Sequence, residues 1–375
     1  KKKKTKDIGK NMTAKMERTF FEMGSEYDWD SNKPYILEAA KHVLYDVPED
    51  RIKYLRSGRD AIRYVARLHK DSYATVLMPA LSCACMSKPF EDEGYNVVFY
   101  RLKPDLSIDL DDVRMKIKKN SIFLYMNYFG QPSFCSDDLK DTINCVNNIL
   151  TIEDITHDFL SRTADSLEAY YTVCSIRKWF AIPDGGVLLS KKPIREIPLD
   201  KDSYFADVRI DGLKHKSSYL YNRIRKEKEY YREAFRKANA YIDRTNNIAC
   251  MDDKSEDLLQ CMNLKKMYAQ RCGNTEFLHN ELKNIPCIHS MLNNSIRSTL
   301  YYPILTEVNQ LTLQKKLSEK GLYLPVIWPL SENAKGICSV ADYISTHMLA
   351  FPCDHRYAID DIKYAIDIVR DRIGQ

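Results

Sequence analysis

The chain is poor in the residues that loosen a fold. Only 12 of its 375 residues are Gly and 14 are Pro, which excludes a low-complexity linker or a long disordered region. No C-x-x-C pair occurs. The closest of the 11 cysteines, Cys83 and Cys85, have no histidine cluster beside them, so the spacing of a structural zinc site is absent and no metal is expected. There is no apolar leader and no run of eighteen apolar residues; together with scattered, odd-numbered cysteines this predicts a reducing, cytoplasmic setting with no membrane span. Charge of one sign is lacking too. The chain has 57 basic and 52 acidic residues, and its first ten, "KKKKTKDIGK", hold six Lys and one Asp, leaving 51 of each sign in the rest. The basic excess belongs to a solvated terminus, which argues against a broad nucleic-acid footprint.

Hydrophobic residues make up 44% of the chain, enough for a sizeable core, and the length favours two domains or one large domain with an appendage. Near-continuous apolar runs read as buried strands at 74–80, 96–102, 121–130, 148–154, 170–176 and 185–190. Helical stretches lie at 57–70, 109–119 and 136–148. Strands alternating with helices predict an α/β domain around a mostly parallel, seven-stranded sheet. From about residue 205 the pattern changes to a long charged helix, 217–243, with strands near "RSTLYYPIL" and "YLPVIWP" and a final helix, "IDDIKYAIDIVRDRI". The expected division is a lead-in at 1–44, a large domain at 45–215, and a linking helix with a smaller α+β domain at 216–375.

The stretch "CSIRKWFAIPDGG" (174–186) places a lysine in a mostly apolar run. A charged lysine is costly to bury unless it is paired or does chemistry. In open α/β sheets ligands sit at the carboxyl ends of strands, and several polar residues fall there. Asp154 closes the strand "NILTIED", and Lys178 follows "YYTVCSI". Ser57 and Gly58 open a helix whose first N–H groups suit a phosphate, and Ser175 precedes Lys178 by three residues. A phosphate cradle, a carboxylate and a lysine are the parts that pyridoxal phosphate requires: an amine for its aldehyde, an acid at its pyridine nitrogen and donors for its phosphate.

The same segments resemble the DegT/DnrJ/EryC1/StrS family, fold-type-I pyridoxal-phosphate aminotransferases known for acting on nucleotide-linked keto sugars. The matches run in order over roughly residues 50–190: "SGRDAI", then "VLMPALSCACMSKPFEDEGYNVVFYRLKPDLSIDLDDV", "NYFGQP", "IEDITH" and "CSIRKWFAIPDGGVLLS". The resemblance implies Lys178 as the Schiff-base lysine and Asp154 as the partner of the pyridine nitrogen. Ser57, Gly58, Arg59 and Ser175 would hold the phosphate, with Gly58 and Arg59 acting mainly through backbone N–H. His157 would lie near the ring hydroxyl. Cys83 takes the place where many members stack an aromatic on the ring. A segment that reaches into the neighbouring subunit is recognisable only as "YLYNRIR", which implies Asn222 as a phosphate contact across a homodimer. The implied reaction carries an amino group from a donor, glutamate, to a keto sugar, in polysaccharide or natural-product biosynthesis.

Three other readings compete. A Ser-x-x-Lys acyl-enzyme would also need S-D-N and K-T-G, and neither string is present. A pyridoxal-phosphate sugar dehydratase of the same family is a second alternative, although some of those replace the lysine with His and this chain keeps Lys178. A non-catalytic pyridoxal-phosphate-binding regulator is the third. Arg356, in "CDHRY", is a candidate for a substrate carboxylate or, more simply, for a structural salt bridge. The Tyr-rich helix reads as core and dimer packing.

Overall fold

The apolar runs become the strands of one sheet because each is buried on both faces. The computed structural model describes residues 22–37, 44–131, 136–292 and 298–373; the Lys-rich first ten residues, most of the expected lead-in, and Pro132 of "NYFGQP" lie outside them. A two-residue strand β1 (Met23–Gly24) comes first. The main sheet follows, built from β2 (Ile52–Leu55), β3 (Thr75–Pro79), β4 (Asn96–Tyr100), β5 (Ser121–Met126), β6 (Ile149–Asp154), β7 (Tyr171–Cys174) and β8 (Gly186–Ser190). Their order across the sheet is β2-β8-β7-β6-β5-β3-β4. Only β8 runs against its neighbours; β7, β6, β5, β3 and β4 pair in parallel.

The expected seven-stranded, mostly parallel sheet is therefore present. Six of its strands are apolar runs in the sequence. The seventh, β2, is a short edge strand, "IKYL", only half-buried over most of its length, and so carries no such run. Helices α1 (Gly58–His69), α2 (Ala84–Asp92), α3 (Leu110–Lys116) and α4 (Ser136–Asn144) fall between strands. The register sets Met126, Asp154 and Val173 side by side, so the carboxyl ends of β5, β6 and β7 form one row.

The single long helix expected at 217–243 is two. Arg223 adopts a left-handed conformation (φ 59°) and ends α5 (Tyr204–Asn222), which packs against α6 (Arg225–Arg244). Periodicity continues across the turn, so nothing in the hydrophobic pattern marks the break. Next come α7 (Asp253–Gln260) and α8 (Leu264–Leu282). An antiparallel three-stranded sheet follows, from β9 (Ile288–Ser290), β10 (Tyr302–Thr306) and β12 (Met348–Phe351), in the order β12-β10-β9. Helices α8, α9 (Gln310–Ser318) and α11 (Ile359–Ile373) surround it, and α10 (Ser339–His347) precedes β12. In place of the strand expected at "YLPVIWP" there is only β11 (Leu322–Tyr323), paired with β1; the rest is irregular, and its Trp328 packs on the main core. The final helix occupies the expected residues.

Candidate functional site

Two adjoining cavities open over the carboxyl row. The smaller is lined by Ser57, Gly58, Arg59, Cys83, Asp154, Ser175 and Lys178, seven of the nine residues expected to touch a cofactor. The larger, of about 690 Å³, contains an eighth, His157. Arg177, Lys178 and Trp328 line both. Asn222 stands apart, exposed at the end of α5, with its amide donating to Ser218 Oγ at 3.3 Å.

Glycines explain how the first wall is made. A Cβ on Gly186 would stand 2.1 Å from the Ser57 carbonyl carbon, and one on Gly58 would stand 3.0 Å from Ser175 Cβ. Gly186 of "PDGG" thus lets β8 start directly beneath the opening of α1, and Gly58 lets that opening lie against the Ser175 loop. Ser57 caps α1, its Oγ accepting from Asp60 N–H at 3.2 Å. The Arg59 side chain is turned away, donating to the Ile242 carbonyl at 2.7 Å and pairing with Asp243 at 2.8 Å. What the segment offers the cavity is the positive end of a helix. Ser175 adds a hydroxyl with no protein hydrogen-bond partner among the described residues.

Asp154 is buried at the end of β6, and Thr156 N–H donates to its Oδ1 at 2.8 Å. No cation pairs with it among the described residues. Burial raises its carboxyl above the usual range, against the pull of the Thr156 bonds and of Lys178. Thr156 holds the whole corner. Its hydroxyl accepts from Ser175 N–H at 3.0 Å, and its carbonyl accepts from Trp179 Nε1 at 2.8 Å. Lys178 sits in the turn after β7 and forms no ion pair among the described residues.

His157 is buried between rings. It stacks on Trp328 at 5.0 Å and meets Phe129 at 4.7 Å, and its Nδ1 accepts from Phe129 N–H at 3.3 Å. Burial, with Lys178 nearby, holds its pKa down to about 3, so the ring is neutral. Cys83 is the N-cap of α2, its Sγ accepting from Cys85 N–H at 3.3 Å. The Cys85 hydrogen bonds and the Lys178 and Arg59 charges outweigh desolvation and lower this thiol to about 6.

Three residues of the site were not singled out from the sequence. Thr156 carried a signal in its place beside Asp154. Trp328 carried none, since it arrives from the smaller sheet's side of the chain. Arg177 was overlooked beside Lys178. Arg356, the candidate for a substrate carboxylate or a structural salt bridge, lines the larger cavity but is engaged: Asp354 grips it at 2.7 and 2.8 Å, and its guanidinium also lies over Tyr27 at 4.2 Å. It is a structural salt bridge.

No protein-family model and no curated protein matches the sequence. Solved structures do match in three dimensions. TlmJ, an aminotransferase from Streptoalloteichus hindustanus, is 12% identical over 95% of this chain and 98% of its own, with a TM-score of 0.63. The fold is that of the aminotransferases. Spr1654 from Streptococcus pneumoniae, described as a sugar aminotransferase and solved in a PLP form, is 13% identical over 95% and 93%, with a TM-score of 0.64. A DegT DnrJ EryC1 StrS aminotransferase from Brucella abortus is 14% identical over 86% of each chain, with a TM-score of 0.57. The chain thus shares the fold-type-I architecture of these neighbours.

Proposed function

We propose that the protein is a pyridoxal-phosphate-dependent aminotransferase that moves an amino group from glutamate to a keto acceptor, a nucleotide-linked keto sugar. The observation that carries this reading is the pairing of an unpartnered lysine with a buried, unpaired carboxylate across one small cavity that opens at a helix N-terminus. Each feature is costly alone, and each fits one part of the cofactor. The Asp154 carboxylate lacks a cation, which a protonated ring nitrogen supplies. The α1 opening and the Ser175 hydroxyl suit a phosphate. The glycine contacts at Gly58 and Gly186 keep that cradle free of side chains. The neighbours' described activity points the same way.

When bound, pyridoxal phosphate supplies an aldehyde for amine exchange and a ring that accepts electrons. The residues then divide the remaining work. Lys178 Nζ would hold the cofactor at its aldehyde and, when free, would serve as the general base and acid that moves a proton to and from the donor's α-carbon. Asp154 would hold a proton at the ring nitrogen, and its raised pKa sharpens its preference for a cationic partner. Neutral His157, braced by Trp328, would face the cofactor's ring hydroxyl, and Cys83 would pack on the ring. The protein would work as a cytoplasmic homodimer, with Asn222 reaching the partner's phosphate, and in the biosynthesis of a surface polysaccharide or similar glycan. No helix among the described residues is long and apolar enough to cross a membrane. The division at residues 45–215 and 216–375 is kept as part of this proposal.

Borohydride reduction of protein incubated with pyridoxal phosphate, followed by peptide mass mapping, tests the reading. A cofactor adduct on Lys178 is expected; an adduct on another lysine, or none, rejects it. Glutamate should then convert the bound cofactor to its aminated form. A regulator would leave the spectrum of the free aldehyde recoverable, and a dehydratase would respond only to its sugar.

A further inference from the structure

Arg177 is the guanidinium in the site with no anion of its own. Its Nε is enclosed and has no hydrogen-bond partner among the described residues. Its nearest specific contact is the Phe205 ring, 5.7 Å from the guanidinium carbon. The two carboxylates lining the larger cavity are taken. Glu26 pairs with Arg209 at 2.9 Å, and Asp354 pairs with Arg356 at 2.7 Å. Arg59, the other arginine of the smaller cavity, is paired with Asp243. Burial, with the Arg209 charge next, pulls Arg177 down to about 10, so it remains a cation at neutral pH but an under-compensated one. A half-buried guanidinium left in this state is stabilised by an incoming oxyanion, and its planar fork matches a carboxylate.

We propose that Arg177 is the recognition site for the α-carboxylate of the amino donor. This rests on the aminotransferase reading and names how that reaction selects its first substrate. Position decides which anion it takes. Arg177 follows directly in the chain before Lys178, and both line the two cavities where they meet. An amino acid that exchanges its amine at Lys178 carries its carboxylate one carbon from that amine, within reach of the adjacent guanidinium. The diphosphate of a nucleotide sugar is several bonds further from the reacting carbon than an amino acid's carboxylate is. The cofactor phosphate has the α1 opening and Ser175.

The test uses maleate, an unreactive dicarboxylate, as the probe, titrated into full-length protein with and without pyridoxal phosphate and followed by tryptophan fluorescence. Arg177→Gln should weaken maleate roughly 10- to 100-fold, the worth of a charged hydrogen-bonded pair, and leave the dissociation constant of pyridoxal phosphate unchanged. Arg177→Lys, which keeps the charge without the fork, should recover part of the loss. Equal melting temperatures of the variants and the native chain establish that they fold; if Arg177→Gln does not, Arg177→Lys alone must show a several-fold loss. Unchanged maleate binding overturns the proposal. So does a loss confined to pyridoxal phosphate or inorganic phosphate, which would assign the guanidinium to the cofactor. Failure of the aminotransferase reading is seen separately, as no adduct on Lys178, while the maleate titration of unloaded protein still reports on Arg177.

Discussion

The two cavities share Arg177, Lys178 and Trp328 but are built in opposite ways. The smaller one takes nearly all its walls from the ends of β5, β6 and β7 and the openings of α1 and α2. Its carboxylate, Asp154, is unpaired and has its pKa raised by burial. The larger one is assembled from Glu26 and Tyr27, the 300–301 corner, the 323–328 loop and Asp354–Arg356. Its carboxylates are paired, and their pKa values are lowered despite burial: Glu26 to about 2 by Arg209, and Asp354 well below the usual range by Arg356. Unpaired charge marks where a ligand completes the structure, and paired charge marks where the structure completes itself.

Lys178→Ala attacks the comparison at its centre. It removes the group that both holds and shuttles, so transamination should fall by roughly 10²–10⁴-fold, and borohydride should fix no cofactor at this position. Turnover near the native rate would place the chemistry elsewhere.

Asp354→Asn should instead cost about 3–5 kcal/mol of stability, because Arg356 is left buried without its partner, and chemical denaturation would measure it. The pH dependence follows from the signs. Glu26 has a folded pKa near 2, below its ordinary 4.5, so the unfolded chain binds more protons between these values. The stability Glu26 contributes is complete above about pH 4.5 and is lost as pH falls towards 2. Glu26→Gln should flatten that acid limb; an unchanged slope would show that the pair with Arg209 is not held in solution.

For Asp154 the sign is reversed. Asp154→Asn should lower turnover by about 10²-fold, as when one preorganised electrostatic partner is removed, while the cofactor still binds through its phosphate and Lys178. The folded pKa of Asp154 is raised, so ionisation costs stability as pH rises above the ordinary carboxylate value. The asparagine variant of the unloaded protein should therefore melt higher at pH 7. A lower melting temperature would mean that Asp154 is paired after all and would remove the contrast between the cavities.

The smallest effect belongs to Cys83. With a thiol near pH 6, it should alkylate quickly at pH 7 in unloaded protein and slowly once pyridoxal phosphate covers it, as site-resolved mass spectrometry can read. Cys83→Ala should lose only packing, on the order of 1 kcal/mol of cofactor affinity. Equal labelling in both forms would take Cys83 off the ring face.

Legibility in the sequence followed the same divide. Strands β3 to β8 were legible because strands of a sheet covered by helices write themselves as apolar runs, and the antiparallel β8 is as buried as its parallel neighbours. Helix α1 was legible from Ser57 and its one-sided apolar residues. Asp154, Ser175 and Lys178 could be read because each is fixed by the strand it follows. The break at Arg223 was not legible, since helical periodicity runs through it, and β2 was not, since an edge strand need not be apolar. Trp328 reaches His157 only after the chain has passed through the smaller sheet.

By itself, then, the sequence determined which strands would be buried and which polar residues would end them, because burial and chain continuity act over a few residues. Whether a charge is free or spoken for was decided only by the tertiary structure. Arg356 and Arg177 look alike in the sequence, each beside a residue of the site. Asp354, two residues away, closes on the first; the second lies beside Phe205 and forms no ion pair among the described residues, while the Glu26 carboxylate in the same cavity faces Arg209. Ion pairing depends on which side chains long-range packing brings within a few ångströms, and that distance is set by the fold.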